Sequence, residues 1–111
     1  MFVIQKDKKI ILTKGDTASI FIQIVDLEGK EYEIKSDDVI RLTVRKSPAA
    51  DISIQKEATS DHYIIFNPSD TSSLSTGLYV YDVQIDIGGT GDNIYTIVPQ
   101  SFFEIRNEVT R

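Results

Sequence analysis

The chain has 111 residues, 41% hydrophobic and 26% charged, with 12 lysines and arginines against 17 aspartates and glutamates. One domain of this size can remove roughly 65% of its unfolded surface from water, enough for a self-supporting core. A net charge of −5 excludes a generic binder of nucleic acid or anionic membrane, and the absence of cysteine excludes disulfides and thiolate sites.

The opening residues, Met1 to Asp7, lack the basic start, long apolar stretch and small-residue cleavage site of a signal peptide. No apolar run approaches the roughly 20 residues needed to span a bilayer. Phe2-Val3-Ile4 either pairs as an edge segment or hangs free. Lys9–Thr13 reads as a first strand, followed by a turn at Lys14-Gly15-Asp16. Thr17–Asp26 alternates with period 2, placing Ala18, Ile20, Ile22 and Ile24 inward. Phe21 and Val25 on the outer face imply partial cover by a neighbour. Leu27–Lys30 is a turn, and Glu31–Ile34 a short returning strand.

Val39–Arg45 alternates strictly, with Ile40, Leu42 and Val44 inward and Arg41, Thr43 and Arg45 outward. A helix would scatter these six residues around its circumference, so this is a strand. Lys46–Asp51 is a loop, because Pro48 cannot donate to a ladder. Ile52–Lys56 and His62–Phe66 are expected to pair as a hairpin around Ala58–Asp61. Asn67–Leu74 is the one helical piece, capped by Ser69 or Asp70, with Leu74 plugging the end of the core.

The longest alternating run follows Gly77, with Tyr79, Tyr81, Val83, Ile85 and Ile87 on one face. Leu74, Gly77 and Tyr79 resemble the tyrosine corner of immunoglobulin-like (Ig-like) sandwiches, where a tyrosine hydroxyl turns back to upstream backbone. Gly88–Asp92 is a hairpin loop, Asn93–Val98 returns, Pro99 breaks or bulges the pairing, and Ser101–Arg106 completes the sheet. Short strands at intervals of roughly 8–15 residues, without a crossover helix, predict an all-β, antiparallel Ig-like β-sandwich of about seven to nine strands. It fills one domain, residues 1–111, with 1–8 and 107–111 flexible.

Chemistry is sparse. His62, the one histidine, sits beside Asp61 with no nucleophile motif near it, and reads as a surface histidine at a turn. Asp37-Asp38 forms half of an acid pair, a calcium corner or, more simply, a solvated turn. One histidine and no cysteine exclude the usual zinc sites. Oxygen ligands at Asp16, Asp26 or Asp92 lack a calcium-loop spacing. Gly88-Gly89-Thr90-Gly91 joins strands and opens no helix, so it is a turn, not a phosphate cradle. Arg41, Arg45, Lys46 and Lys56 form a basic stripe, either a solvated face with edge lysines or a dock for an acidic partner. Tyr32, Tyr63, Tyr95 and Phe102 are the rings available to stack a sugar, though core or rim roles are the usual ones. No catalytic, cofactor or metal residue is assigned, and an enzyme is not expected.

Across about 90 positions the chain resembles small Ig-like domains of tailed bacteriophages and prophages, nearest to the N-terminal domain of upper baseplate proteins of phages infecting Gram-positive bacteria. The likeness is carried by Leu12–Thr17, Asp26–Lys30, Leu42–Ser47, Asn67–Thr71, Gly77–Val83 and Tyr95–Pro99, all turn-and-strand patterns. It implies a non-enzymatic structural or assembly module acting through protein–protein contact, with other phage structural proteins or copies of itself as partners. Nucleic acid and membrane are not expected partners, and the place of action is the virion or the host bacterial cytoplasm. Baseplate proteins continue into long C-terminal regions, so a free-standing virion component, or a small phage-encoded protein of unassigned role, is the expectation that fits this length better. An adhesive or carbohydrate-binding module on the same scaffold is the alternative.

Overall fold

A computed structural model describes residues 2–4, 8–24 and 30–107, the first of these by backbone alone. In chain order the elements are β1 (Phe2–Ile4), β2 (Ile10–Thr13), β3 (Ala18–Phe21), β4 (Val39–Arg45), β5 (Ile52–Glu57), β6 (Tyr63–Phe66), helix α1 (Pro68–Ser72), β7 (Gly77–Asp86) and β8 (Ile94–Arg106). A large sheet has the order β1-β2-β8-β7-β4-β5, and β3 pairs with β6 in a small one. The protein is all-β, and no helix among the described residues is long and apolar enough to cross a membrane.

Buried side chains of both sheets meet in one core. β7 contributes Tyr79, Tyr81, Val83 and Ile85, β4 contributes Ile40, Leu42 and Val44, and the small sheet answers with Ile20, Ile64 and Phe66. Phe103 on β8 is fully buried and touches both layers, with ring centroids 5.6 Å from Phe66 and 6.2 Å from Tyr81. Alternation in β4 and β7 is respected because only one face of each meets the core. The sole buried polar residue among those described, Thr71 of α1, accepts the Gly15 N–H at 2.9 Å and so ties the helix to the turn after β2.

Tyr79 does what its spacing predicts. Its hydroxyl donates to the Ser75 carbonyl at 2.8 Å, and the Lys46 ammonium lies 4.5 Å from the ring centroid. Gly77, at φ +139°, makes the turn into β7, a conformation that L side chains rarely adopt. Leu74 packs against the core end as expected.

Several expectations are corrected. The large sheet is mixed rather than antiparallel, because β2 runs parallel to β8, Ile10 opposite Phe103 and Thr13 opposite Arg106. Parallel strands need a long crossover connection, usually but not necessarily helical, and here the whole intervening chain makes the return. β5 and β6 are not a hairpin: β5 pairs with β4, and β6 with β3. The Thr59–His62 turn, with the Thr59 N–H on the Tyr63 carbonyl at 2.7 Å, carries the chain from one sheet to the other.

The strand expected to reach Asp26 ends at Phe21, and past Ile22 the chain leaves the β6 ladder. Ile22 is still buried and Ile24 partly so, while Val25 and most of the Leu27–Lys30 turn lie outside the described residues. Glu31–Ile34 forms no strand; it makes a single bridge, through the Tyr32 N–H to the Ile24 carbonyl at 2.8 Å. Asn67, not Ser69 or Asp70, is the helix N-cap, and Asp70 instead accepts its N–H at 2.7 Å. Ile87 leaves β7 for a 3-10 turn, Ile87–Gly89. Phe2–Ile4 settles as an edge segment against β2. The β7–β8 register slips at Pro99–Gln100, opposite Tyr81–Val83, which is the expected bulge, and a second time at Ile97, before Gln84, which was not expected.

Candidate functional site

An open cleft of about 500 Å³ lies between the end of the small sheet and the first half of β8. Ile22 and Ile24 form one wall, Thr96, Ile97 and Val98 the other, and Tyr81 and Val83 lie among the residues beneath. Lys8, whose carbonyl accepts the Tyr81 hydroxyl, also lines it and is the one charged residue among the lining residues described. The wall from β8 is a strand edge as well. β2 covers β8 only from Phe103 to Arg106, so among the described residues no strand pairs the other side of Ile94–Phe102.

Apolar side chains stand outside the core on both layers. On the small sheet Phe21 and Tyr63 face each other across the ladder with ring centroids 5.2 Å apart, beside Ile65. Phe21 is 55% exposed and Tyr63 40% exposed. On the large sheet Leu78 and Phe102 are exposed on the outer face, and Ile94 and Tyr95 near the tip of the β7–β8 hairpin.

The residues singled out in the sequence do not converge. Asp38 is a structural clasp: its carboxylate accepts the Tyr32 hydroxyl at 2.8 Å, the Lys35 N–H at 2.9 Å and the Gly88 N–H at 3.0 Å. Burial opposes its ionisation, but the Lys35 and Gly88 N–H groups and the Tyr32 hydroxyl outweigh that and hold it below the ordinary aspartate value. The same hydrogen bond, aided by burial, raises Tyr32. Asp37 lends its carbonyl to the close approach of Gly89, where an added Cβ would come within 2.8 Å. In the glycine loop, the Gly88 and Gly91 N–H groups donate to the Asp38 and Asp86 carboxylates, so these donors already serve internal anions.

His62 sits at the turn with φ +69°, its N–H on the Thr59 carbonyl, and lines a second cleft of about 390 Å³ with Lys35, Ser36 and Asp38. No three His, Asp or Glu among the described residues gather into a metal site; Asp16 and Asp92 stay apart, and Asp26 lies outside them.

The basic stripe is dispersed, which corrects the expectation of one face. Arg41 pairs with Glu57 at 2.9 Å on the outer face, and Arg45 donates to the Ala50 carbonyl at 2.8 Å. Lys46 covers Tyr79, and Lys56 points inward to Asp70 at 2.9 Å because it stands opposite Leu42. The four rings considered for a sugar are dispersed too. Tyr63 is outside the small sheet and Phe102 outside the large one; Tyr95, opposite Ile85, takes the other face, and Tyr32 is spent on Asp38.

Neither the cleft nor the open edge of β8 was read from the sequence. The available signal was charge: Thr17–Val25 and Asn93–Phe103 carry none, and within them Ile20–Ile24 and Thr96–Val98 line the cleft. Compared with family models and with curated proteins, the chain matches none.

Proposed function

We propose that this protein is a non-enzymatic docking module of a tailed-phage or prophage particle, an Ig-like domain working through protein–protein contact. The observation that supports it most is the open side of the molecule, where Lys8 is the one charged residue among the described lining of the cleft. There an apolar cleft, a strand edge and the exposed Phe21 and Tyr63 rings are presented by elements already anchored in the core. A stable interface needs roughly 800 Å² from each partner with aromatic anchors near its centre, and the exposed Phe21 and Tyr63 rings are anchors of that kind. The resemblance to baseplate-associated domains adds the class of particle.

The test is co-expression with the products of the genes flanking this one, followed by light scattering on the purified sample. A defined complex with a tail, baseplate or capsid protein supports the reading. A chain that stays monomeric and binds none of them overturns it.

A further inference from the structure

The docking reading leaves open what the partner presents, and the cleft narrows that. We infer that it takes an extended segment of a partner protein, which adds as a strand to β8 at Ile94–Val98, on the side that no strand among the described residues pairs. Main-chain bonds to an exposed edge would supply affinity and alternate side chains seated in a neighbouring groove would supply specificity. Both halves of that arrangement are present together, since Thr96, Ile97 and Val98 belong to the edge left unpaired among the described residues and to the wall of the cleft. Pro99 sets the limit, since it has no N–H to give; of the two register slips against β7, one falls at Pro99–Gln100 and the other at Ile97, so the evenly paired stretch is Ile94–Thr96.

The chemistry of the segment follows from the lining. Every second residue is apolar, to meet Ile22, Ile24 and Val83, and no charge is tolerated at those positions because the one charged residue among the described lining, Lys8, stands at one end. At the end where Lys8 stands the segment carries one carboxylate, the single charge complement that the lining offers. Charged side chains are one device that keeps an edge strand from pairing. β5, the opposite edge of the large sheet, carries Lys56 and Glu57, whereas Ile94–Val98 carries no charge.

The inference rests on the docking reading, and its test separates the two. The probe is an acetylated, amidated peptide of about seven residues, a usual strand length, alternating threonine with valine and ending in aspartate. Titrated into the isotope-labelled protein, it is expected to shift the amides of Ile22, Ile24 and Ile94–Val98. Lys8→Glu should reverse the preference toward the same peptide ending in lysine. Thr96→Lys places a gatekeeping charge at an exposed position, so the fold survives; it should weaken the peptide by about tenfold or more.

In the co-expressed complex, Thr96→Lys should likewise remove the partner. If the complex forms and ignores Thr96→Lys, the strand-addition inference fails while the docking reading stands. If no complex forms with the parent chain, the docking reading itself fails. Equal binding by a peptide N-methylated along its ladder side would identify an apolar pocket without strand addition. Concentration-dependent self-association abolished by Thr96→Lys would assign the edge to a second copy. Either result overturns the inference.

Discussion

The two sheets share a core but treat their outsides differently. The large sheet is laced with charge: Arg41 on Glu57 at 2.9 Å, Lys9 on Glu104 at 2.9 Å, and Arg106 on the same glutamate. Glu104 is held below its ordinary value first by the hydrogen bond from Arg106 and then by that from Lys9. The small sheet has no charge in either strand, and its outer face offers Phe21, Tyr63 and Ile65. Exposed ion pairs contribute roughly 0–1 kcal/mol each, so the difference says little about stability. On the docking reading proposed above, it marks which surfaces are kept from other chains and which are offered to them.

The strongest way to break this comparison is to cut what joins the sheets. Phe103→Ala should cost about 3–5 kcal/mol, read from urea unfolding, because one ring packs against both layers. A loss under about 1 kcal/mol would mean that the layers are stabilised separately. Tyr79→Phe keeps the ring and removes the bond to Ser75, so a loss of about 1–2 kcal/mol is expected by the same measurement. No change would strip the corner of its structural role.

Acid sharpens the comparison at the clasp. The folded value of Asp38 is lowered, so its contribution is present above the unfolded carboxylate pKa and is lost as pH falls through the folded value. Asp38→Asn should therefore show a shallower fall in thermal stability across the acid range than the parent. Parallel curves would contradict the clasp. The smallest effect belongs to Arg41→Ala, expected within about 0.5 kcal/mol of the parent, since its pair with Glu57 is exposed. Phe21→Lys should be similarly mild for folding, yet reduce the apolar surface offered to a partner.

Much of the fold could be read from residue patterns. Val39–Arg45 and the run after Gly77 declare their faces through alternation, and Tyr79 and Pro99 declare a corner and a bulge. What alternation reports, though, is which side of a strand is buried, not which strand lies next to it. That is why β5 and β6 read as a hairpin when the chain changes sheets between them, and why the parallel β2–β8 pair was missed. The clasp at Asp38 was invisible for a related reason, because its partner Gly88 is 50 positions away. The four cations read as a stripe dispersed once Lys56, placed opposite Leu42, turned inward to Asp70.

The most direct test of the account is amide hydrogen exchange on the protein alone and on its complex with the partner found by co-expression. The account predicts new protection at Ile94–Val98 and around Ile22–Ile24, with the Val39–Arg45 and Ile52–Glu57 strands unchanged. Protection confined to the charge-laced face of the large sheet would contradict it.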